Sequence, residues 1–394
     1  MNMLSLPVID PTSDAFLDDQ PGVLAAARAE SFVARSPFGL HLLTHESSEA
    51  LLRDPRFHPG VAKLCEASDI TEGRFYDDFT SSMLAVGGAA HRKLRRPVNP
   101  FFSSKAVEGY RGWLRGFLER TIDGLRDREV IEVQEEVSAP MPAALFCQMV
   151  GAPEDEAPFV ARVSDASLQI FHKDPACKDE ILAAYDELAV WCEDLIAQKR
   201  CSPGDDLVSF LAQEDQLDED EVVNILTLIL QASTDNTSNQ LSIAVQLLAE
   251  HPAEWERLRT DRSWIGPVVD EAMRLRPRVT TGNRTTDEDV ELLGLEVPAG
   301  SWVFSSVLAA NRDPNRYAEP DRFVPGRPEG SSQLLFGLGP HYCIGAGLAR
   351  FELEVALDVL ADRWTSFELA GDPVPVRTWV LDGLLSLPVT PAWA

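Results

Sequence analysis

Apolar residues recur at intervals of three and four along most of the chain between about residue 102 and residue 275, which commits that stretch to amphipathic helices. VEGYRGWLRGFLERTIDGL, DEILAAYDELAVWCEDLIAQKR and EDEVVNILTLILQ are the clearest runs. β-like pieces are few. VELLGLEV and SWVFSSVLA, joined by the turn-like PAG, and LLSLPVT near the C-terminus predict small peripheral sheets. The fold class that follows is mainly α with small β-sheets. No segment repeats and none is of low complexity. The Pro/Gly/Arg-rich stretch RDPNRYAEPDRFVPGRPEGSSQ runs straight into a strong motif and reads as an ordered loop, so residues 1–394 are expected to form a single domain.

The chain is 394 residues long and 45% hydrophobic, enough for a large core. Its formal net charge of -28, from 63 acidic against 35 basic residues, argues against nucleic acid or an anionic membrane as a partner. The opening MNMLSLPVIDPTSDAF lacks the basic start and apolar core of a signal peptide, and no apolar run is long enough to span a bilayer. A cytoplasmic, monomeric enzyme acting on a small molecule is the expectation. The six cysteines, at 65, 147, 177, 192, 201 and 343, form no CxxC pair, which excludes a zinc ribbon or a dithiol centre. All but Cys343 read as small buried hydrophobes. His41 and His45 lie four apart, but no HExxH accompanies them and HLLTH suits a strand equally well.

Cys343 is different. In LLFGLGPHYCIGAGLARFELEVALDVLADRW it is surrounded by glycines at 337, 339 and 345 and stands just before an amphipathic helix that starts near Gly345. A helix N-terminus favours a thiolate, and glycines let backbone approach a flat ligand closely. A dinucleotide loop would need glycine where Tyr342 stands. The residues alone leave a thiolate metal ligand and a cysteine nucleophile as alternatives.

FGLGPHYCIGAGLAR resembles the haem-binding loop of the cytochrome P-450 monooxygenases, F-G-x-G-x-H-x-C-x-G followed by a helix with L-A-R, and matches it at every defining position. The resemblance runs from about residue 20 to the C-terminus, through EHPAEWERLR, ANRDP and LLSLPV, and its spacing is that of soluble bacterial members. It implies the cytochrome P-450 fold, with haem b between the long central helix and the cysteine loop. It also implies Cys343 as axial iron ligand, His341 on a propionate, Phe336 beside the sulfur, and Gly345 and Ala232 against the cofactor. In VVDEAMRLRP, Glu271 and Arg274 share a helix face. The resemblance joins them to Arg327 of DRFVPGR in a buried structural network. Within HRKLRRP it places His91 and Arg95 on the propionates, with Arg284 of GNRTT as a further partner. Arg92, Lys93 and Arg96 are left exposed, part of a docking patch for an acidic donor.

In NILTLILQASTDNTSNQ an acid, Asp235, stands mid-helix. The family pattern A-[GA]-x-[DE]-T matches Ala232 and Asp235, with Ser233 in place of the commoner glycine and Asn236 in place of threonine. The implied role of the acid and the threonine is to carry protons to iron-bound dioxygen. Asn236 cannot pass a proton as a hydroxyl does, though it can hold a water. Three explanations compete: Asn236 positions a relay water, Thr237 or Thr234 substitutes, or a polar group of the substrate completes the relay. The first and last together are favoured. Matching positions put Phe75, Met83, Leu228, Gln231, Thr280 and Leu381 around the substrate, mostly apolar walls with Gln231 and Thr280 as polar points.

The expected activity is activation of dioxygen with two electrons from NAD(P)H, delivered by a ferredoxin and its NAD(P)H-dependent reductase. One oxygen atom enters a compact, mostly apolar small molecule by hydroxylation, dealkylation or coupling. A haem-binding sensor or scaffold without turnover, and a cysteine-nucleophile hydrolase, are the alternatives.

Overall fold

The computed structural model describes residues 5–328 and 334–394, and the chain is mostly helical with small sheets. It divides into two compact units, residues 1–60, 243–343 and 374–385 in the first, and 61–242, 344–373 and 386–394 in the second. The three long helical runs read from the sequence form helices Ser104–Gly109 and Arg111–Asp123, Lys178–Cys201 and Glu219–Glu250. No described helix is long and apolar enough to cross a membrane.

The first unit is built on a four-stranded sheet in the order Val33–Arg35, Leu40–Leu42, Trp302–Ser306, Thr281–Thr285. The outer pairings are antiparallel and the central one is parallel, with Leu40 opposite Val303 and Arg284 also opposite Val303 from the other side. His41 is in this sheet, buried and stacked on Phe304 at 4.8 Å, as a core histidine would be. VELLGLEV folds as the hairpin Val290–Leu292 and Leu295–Val297. Its two-residue turn, Leu293 and Gly294, has φ of 53° and 76°, the left-handed pair that matches strand twist. The inward residues of both sheets, among them Val33, Leu42, Val290, Leu295 and Val303, join Leu51 and Phe57 in one apolar cluster. Each such side chain contributes about 1.5–3 kcal/mol when fully buried. The helix His45–Arg53 starts on a reciprocal cap in which Thr44 and Ser47 each accept from the other's backbone N–H. The expected ordered loop at 312–333 is described as far as residue 328; its last five residues lie outside the described residues.

In the second unit, the antiparallel sheet Ile131–Glu132, Pro388–Trp393, Trp364–Leu369 carries the fully buried Trp364. The helix Ala346–Arg363 buries Leu348, Phe351, Leu353, Val355 and Leu357 on several sides. Glu219–Glu250, whose residues to Ser242 belong here, is 32 residues long, about 48 Å at the usual rise. Its centre is polar yet buried: Thr234, Thr237, Ser238, Asn239, Gln240 and Ser242 are all buried. Side chains in this run bond back to carbonyls one turn earlier, Ser233 Oγ to Leu230 O at 3.1 Å and Ser238 Oγ to Asp235 O at 3.0 Å.

Candidate active site

The cysteine loop closes on itself through three backbone bonds in the first unit. The amide of Cys343 donates to Phe336 O at 2.8 Å, that of Tyr342 to Gly339 O at 3.1 Å and that of Gly337 to Leu334 O at 3.0 Å. Gly337 and Gly339 have φ of 69° and 71°, a conformation that side-chain-bearing residues avoid. This arch leaves Cys343 exposed, with His341 half-buried in the turn Gly339–His341 and the Phe336 ring 6.3 Å from that of Tyr342. Gly345 is the N-cap of Ala346–Arg363 and offers that helix no side-chain acceptor.

The other cysteines divide. Cys65, Cys147 and Cys192 are buried, and burial pushes the thiols of the first two up to about 12, so they are inert as thiolates. Cys177 and Cys201 depart from the expected burial, the former half-buried and the latter exposed, because one precedes the helix Lys178–Cys201 and the other ends it.

Glu271 and Arg274 stand on the helix Ile265–Leu275, 4% and 0% exposed. Arg274 uses all five of its N–H donors: Nε and Nη2 on the two Glu271 oxygens at 2.8 Å, and the rest on the carbonyls of Asn311, Pro320 and Arg322. Arg327 Nε joins Glu271 at 2.8 Å and reaches the carbonyls of Ala318, Glu319 and Arg322. The amide of Val324 also donates to Glu271, at 2.9 Å. Asn311 carries the network onward, its carbonyl accepting from Arg274 at 2.7 Å and its Oδ1 from the amide of Leu334 at 3.1 Å. Leu334 O is the acceptor for Gly337 that opens the cysteine arch. Asn311 was not among the candidates drawn from the sequence; its place in ANRDP was the one available signal.

Arg284, on the strand Thr281–Thr285, is half-buried and its guanidinium donates to Asn283 O at 2.8 Å. No carboxylate among the described residues pairs with it, and burial alone pulls it down to about 10. In the second unit, the helix Gly88–Val98 buries His91, Leu94, Pro97 and Val98 and exposes Arg92, Lys93 and Arg96. Desolvation, then the charges of Arg95 and Arg92, hold the His91 imidazole below its usual range, which keeps it neutral. Lys93 departs from a freely presented patch, since its Nζ sits 2.5 Å from Glu221.

Between Val222 and Val245, the long helix leaves only Leu228, Ala232, Ser233, Asp235 and Asn236 unburied. Positions 228, 232, 235 and 236 fall at helical spacing and form one strip, lined by a small residue at Ala232 and two polar ones. Asn236 Nδ2 uses one of its two N–H donors on Ala232 O at 3.0 Å, while Asp235 Oδ1 accepts from Asn239 Nδ2 at 2.9 Å. Thr237, one of the three catalytic candidates, is buried and lies off that strip.

The substrate candidates separate in the same way. Leu228 is on the strip; Gln231 is buried and its amide donates to Ser167 Oγ at 2.8 Å. Phe75 is 1% exposed, with its ring edge-on to Tyr185 at 5.0 Å, and Met83 is buried. In the first unit, a bridge between Val279 and Leu381 brings Thr280 and Leu381 together, both buried, and the Thr280 hydroxyl donates to Trp379 O at 2.8 Å. The two expected polar points are therefore engaged within the chain, each with acceptor capacity remaining.

The sequence matches the family model for Cytochrome P450 over residues 264–373. It is 30% identical over 375 residues to the luteothin monooxygenase of Streptomyces thioluteus, covering 93% of this chain and 91% of that one. It is 32% identical over 400 residues to the nocardicin C N-oxygenase of Nocardia uniformis subsp. tsuyamanensis, covering 98% and 97%. Among solved structures, the myxobacterial cytochrome P450 CYP267B1 in complex with myristic acid superposes with a TM-score of 0.88 at 30% identity, over 96% of this chain and 98% of that one. CalO2, at 24% identity, superposes with a TM-score of 0.91 over 98% and 99% and attests the fold alone.

Proposed function

This chain belongs to the cytochrome P450 family and is a haem- and dioxygen-dependent monooxygenase, and from that premise we propose that it oxygenates a compact, mostly apolar small molecule of secondary metabolism. The observation that carries the proposal is the strip on the long helix, where Leu228 and Ala232 offer an apolar surface next to the polar pair Asp235 and Asn236.

The residues present suit haem b. Arg284 is a desolvated cation without a carboxylate among the described residues, which suits a propionate, and His91, as a neutral N–H donor, and Arg95, as a charged one, would add to it. Cys343 is an exposed thiol on a glycine-bounded arch, Phe336 and His341 belong to that arch, and Gly345 and Ala232 present little bulk to a flat ring. Haem with a thiolate ligand supplies the push of electron density that favours O–O cleavage. Glu271, Arg274, Arg327 and Asn311 hold the arch in shape. Asp235 and Asn236 handle protons at the strip: with one Nδ2 hydrogen on Ala232, Asn236 orients a water through its amide oxygen and its second N–H, neither of which relays a proton as a hydroxyl does.

Electrons come from a ferredoxin and its NAD(P)H-dependent reductase in the cytoplasm, met through the exposed Arg92 and Arg96. Residues 1–394 act as a single monomeric catalytic domain, a reading supported by alignments that run through both units. A ligand screen that follows the low- to high-spin shift of the haem tests the substrate class. Compact apolar molecules with one or two hydrogen-bonding groups are expected to shift the spin state and to yield oxygenated product with NAD(P)H. A shift confined to large, highly polar compounds overturns the assignment.

A further inference from the structure

Arg276 is the C-cap of the helix Ile265–Leu275, two residues beyond Arg274, and takes a different partner. Its Nε and Nη2 meet the two oxygens of Asp382 at 2.9 and 2.8 Å, and its Nη1 reaches Gln246 Oε1 at 2.6 Å. Gln246 in turn donates to Glu250 at 2.8 Å, so the first unit's share of the long helix anchors the arginine. Asp382 lies in a loop, residues 376–383, closed at its root by the amide of Val376 on Gly383 O at 2.9 Å. Towards the tip, Trp379 stacks on Phe38 at 5.3 Å and stands edge-on to Phe304 at 5.2 Å. The loop also pairs with the segment that follows Arg276: the amide of Asp382 donates to Arg278 O at 2.8 Å and that of Thr280 to Val380 O at 3.1 Å. These two bonds flank Val279 and Leu381, which face each other as the kind of strand pair whose side chains lie closest. Leu381 is 8% exposed and Val279 half-buried, so together they form a small apolar ledge.

We propose that the clasp between Arg276 and Asp382 fixes the height of this ledge, making the two positioning residues for substrate size. The inference deepens the reading of Leu381 and Thr280 as part of the substrate wall and rests on it. The side chains of Arg276 and Asp382 are 20% and 23% exposed, so solvent screens their attraction and the pair adds little to stability. Its contribution is geometric. A two-pronged arginine–carboxylate contact sets both distance and rotation, and Arg278 Nη1 holds the carbonyl of the same aspartate at 2.8 Å. Leu381 thus stands between two fixed neighbours two residues apart from each other by one on either side, Trp379 in its aromatic setting and Asp382 in the clasp. A wall fixed before binding spares the ligand the entropy of ordering it. Without the clasp, a molecule large enough to touch Leu381 must order it, and a smaller one need not.

The test uses the haem-loaded protein with imidazole and 1-phenylimidazole as probes, their binding followed by the Soret shift on iron coordination. The advantage of phenylimidazole over imidazole is expected to fall about threefold to tenfold in Asp382→Asn and in Arg276→Gln, the cost of ordering one or two side chains, while imidazole affinity holds. The double variant should lose no more than either single one, because the two residues act as a unit. Leu381→Ala should lose the same advantage with the clasp intact, and adding Asp382→Asn to it should change nothing further. In the haem-free protein, amide hydrogen exchange at Thr280 and Asp382 should quicken in Arg276→Gln while that of Cys343 stays as it was. An unchanged probe ratio in both single variants, or an equal weakening of both probes, overturns the proposal. A protein that takes up haem yet gives no Soret shift with either probe has no open iron position, and overturns the oxygenase reading instead.

Discussion

Arg284 illustrates how a single residue can reveal what a fold is prepared to bind. Its guanidinium is desolvated with no carboxylate among the described residues to offset the cost, so the free chain gains little from it. Arg284→Gln is therefore expected to leave the stability of the haem-free protein unchanged or slightly raised. Haem retention should fall roughly tenfold to a hundredfold, the worth of a hydrogen bond to a charged group. Transfer of haem to a competing apoprotein, set beside urea unfolding of the haem-free form, separates the two effects. Cys343 and the Glu271–Arg274 pair were legible because each is defined by short-range spacing. The isolation of Arg284 was not, since it depends on which carboxylates the fold keeps away.

At the scale of elements, the helix Ile265–Leu275 is coupled to the cysteine arch through Arg274, whose five donors are all used, and through the carbonyl and Oδ1 of Asn311. Removing one partner of a buried ion network costs about 3–5 kcal/mol. Glu271→Gln should accordingly lower the urea midpoint strongly. Asn311→Ala should cost less in stability yet broaden or weaken the red-shifted Soret band of the ferrous carbon monoxide complex, because it frees the Leu334 amide at the foot of the arch. Carbon monoxide difference spectra on both variants check this. The partnership of Glu271 with Arg327 could be read from the family resemblance; the step through Asn311 could not, because one side-chain oxygen meeting one loop amide leaves no periodic trace in sequence. The long helices were legible from apolar spacing. The central run STDNTSNQ, by contrast, shows as polar in sequence and gives no sign that its side chains bond back to their own helix or which three of them stay unburied.

For the whole molecule, the net charge of -28 is the dominant electrostatic fact, and its self-repulsion opposes compactness. Thermal stability should rise with added sodium chloride up to about 0.15 M, where the Debye length falls to about 8 Å. Reduction by an acidic ferredoxin should pass through a maximum with salt in the same stopped-flow series, as general repulsion is screened before the attraction of Arg92 and Arg96. A monotonic fall would show that the patch alone governs encounter. Composition alone made this charge legible, but not the partial neutralisation of the basic island by Glu221. The network under the cysteine arch also bears on the order of assembly. Arg274 and Arg327 find their acceptors in Glu271 and in the chain's own carbonyls, so the arch draws its bracing from polypeptide. Haem then arrives at a receptor already in shape. Loading becomes a bimolecular capture event, faster in proportion to haem supply, and a newly made chain can wait for its cofactor without losing the place where the cofactor belongs.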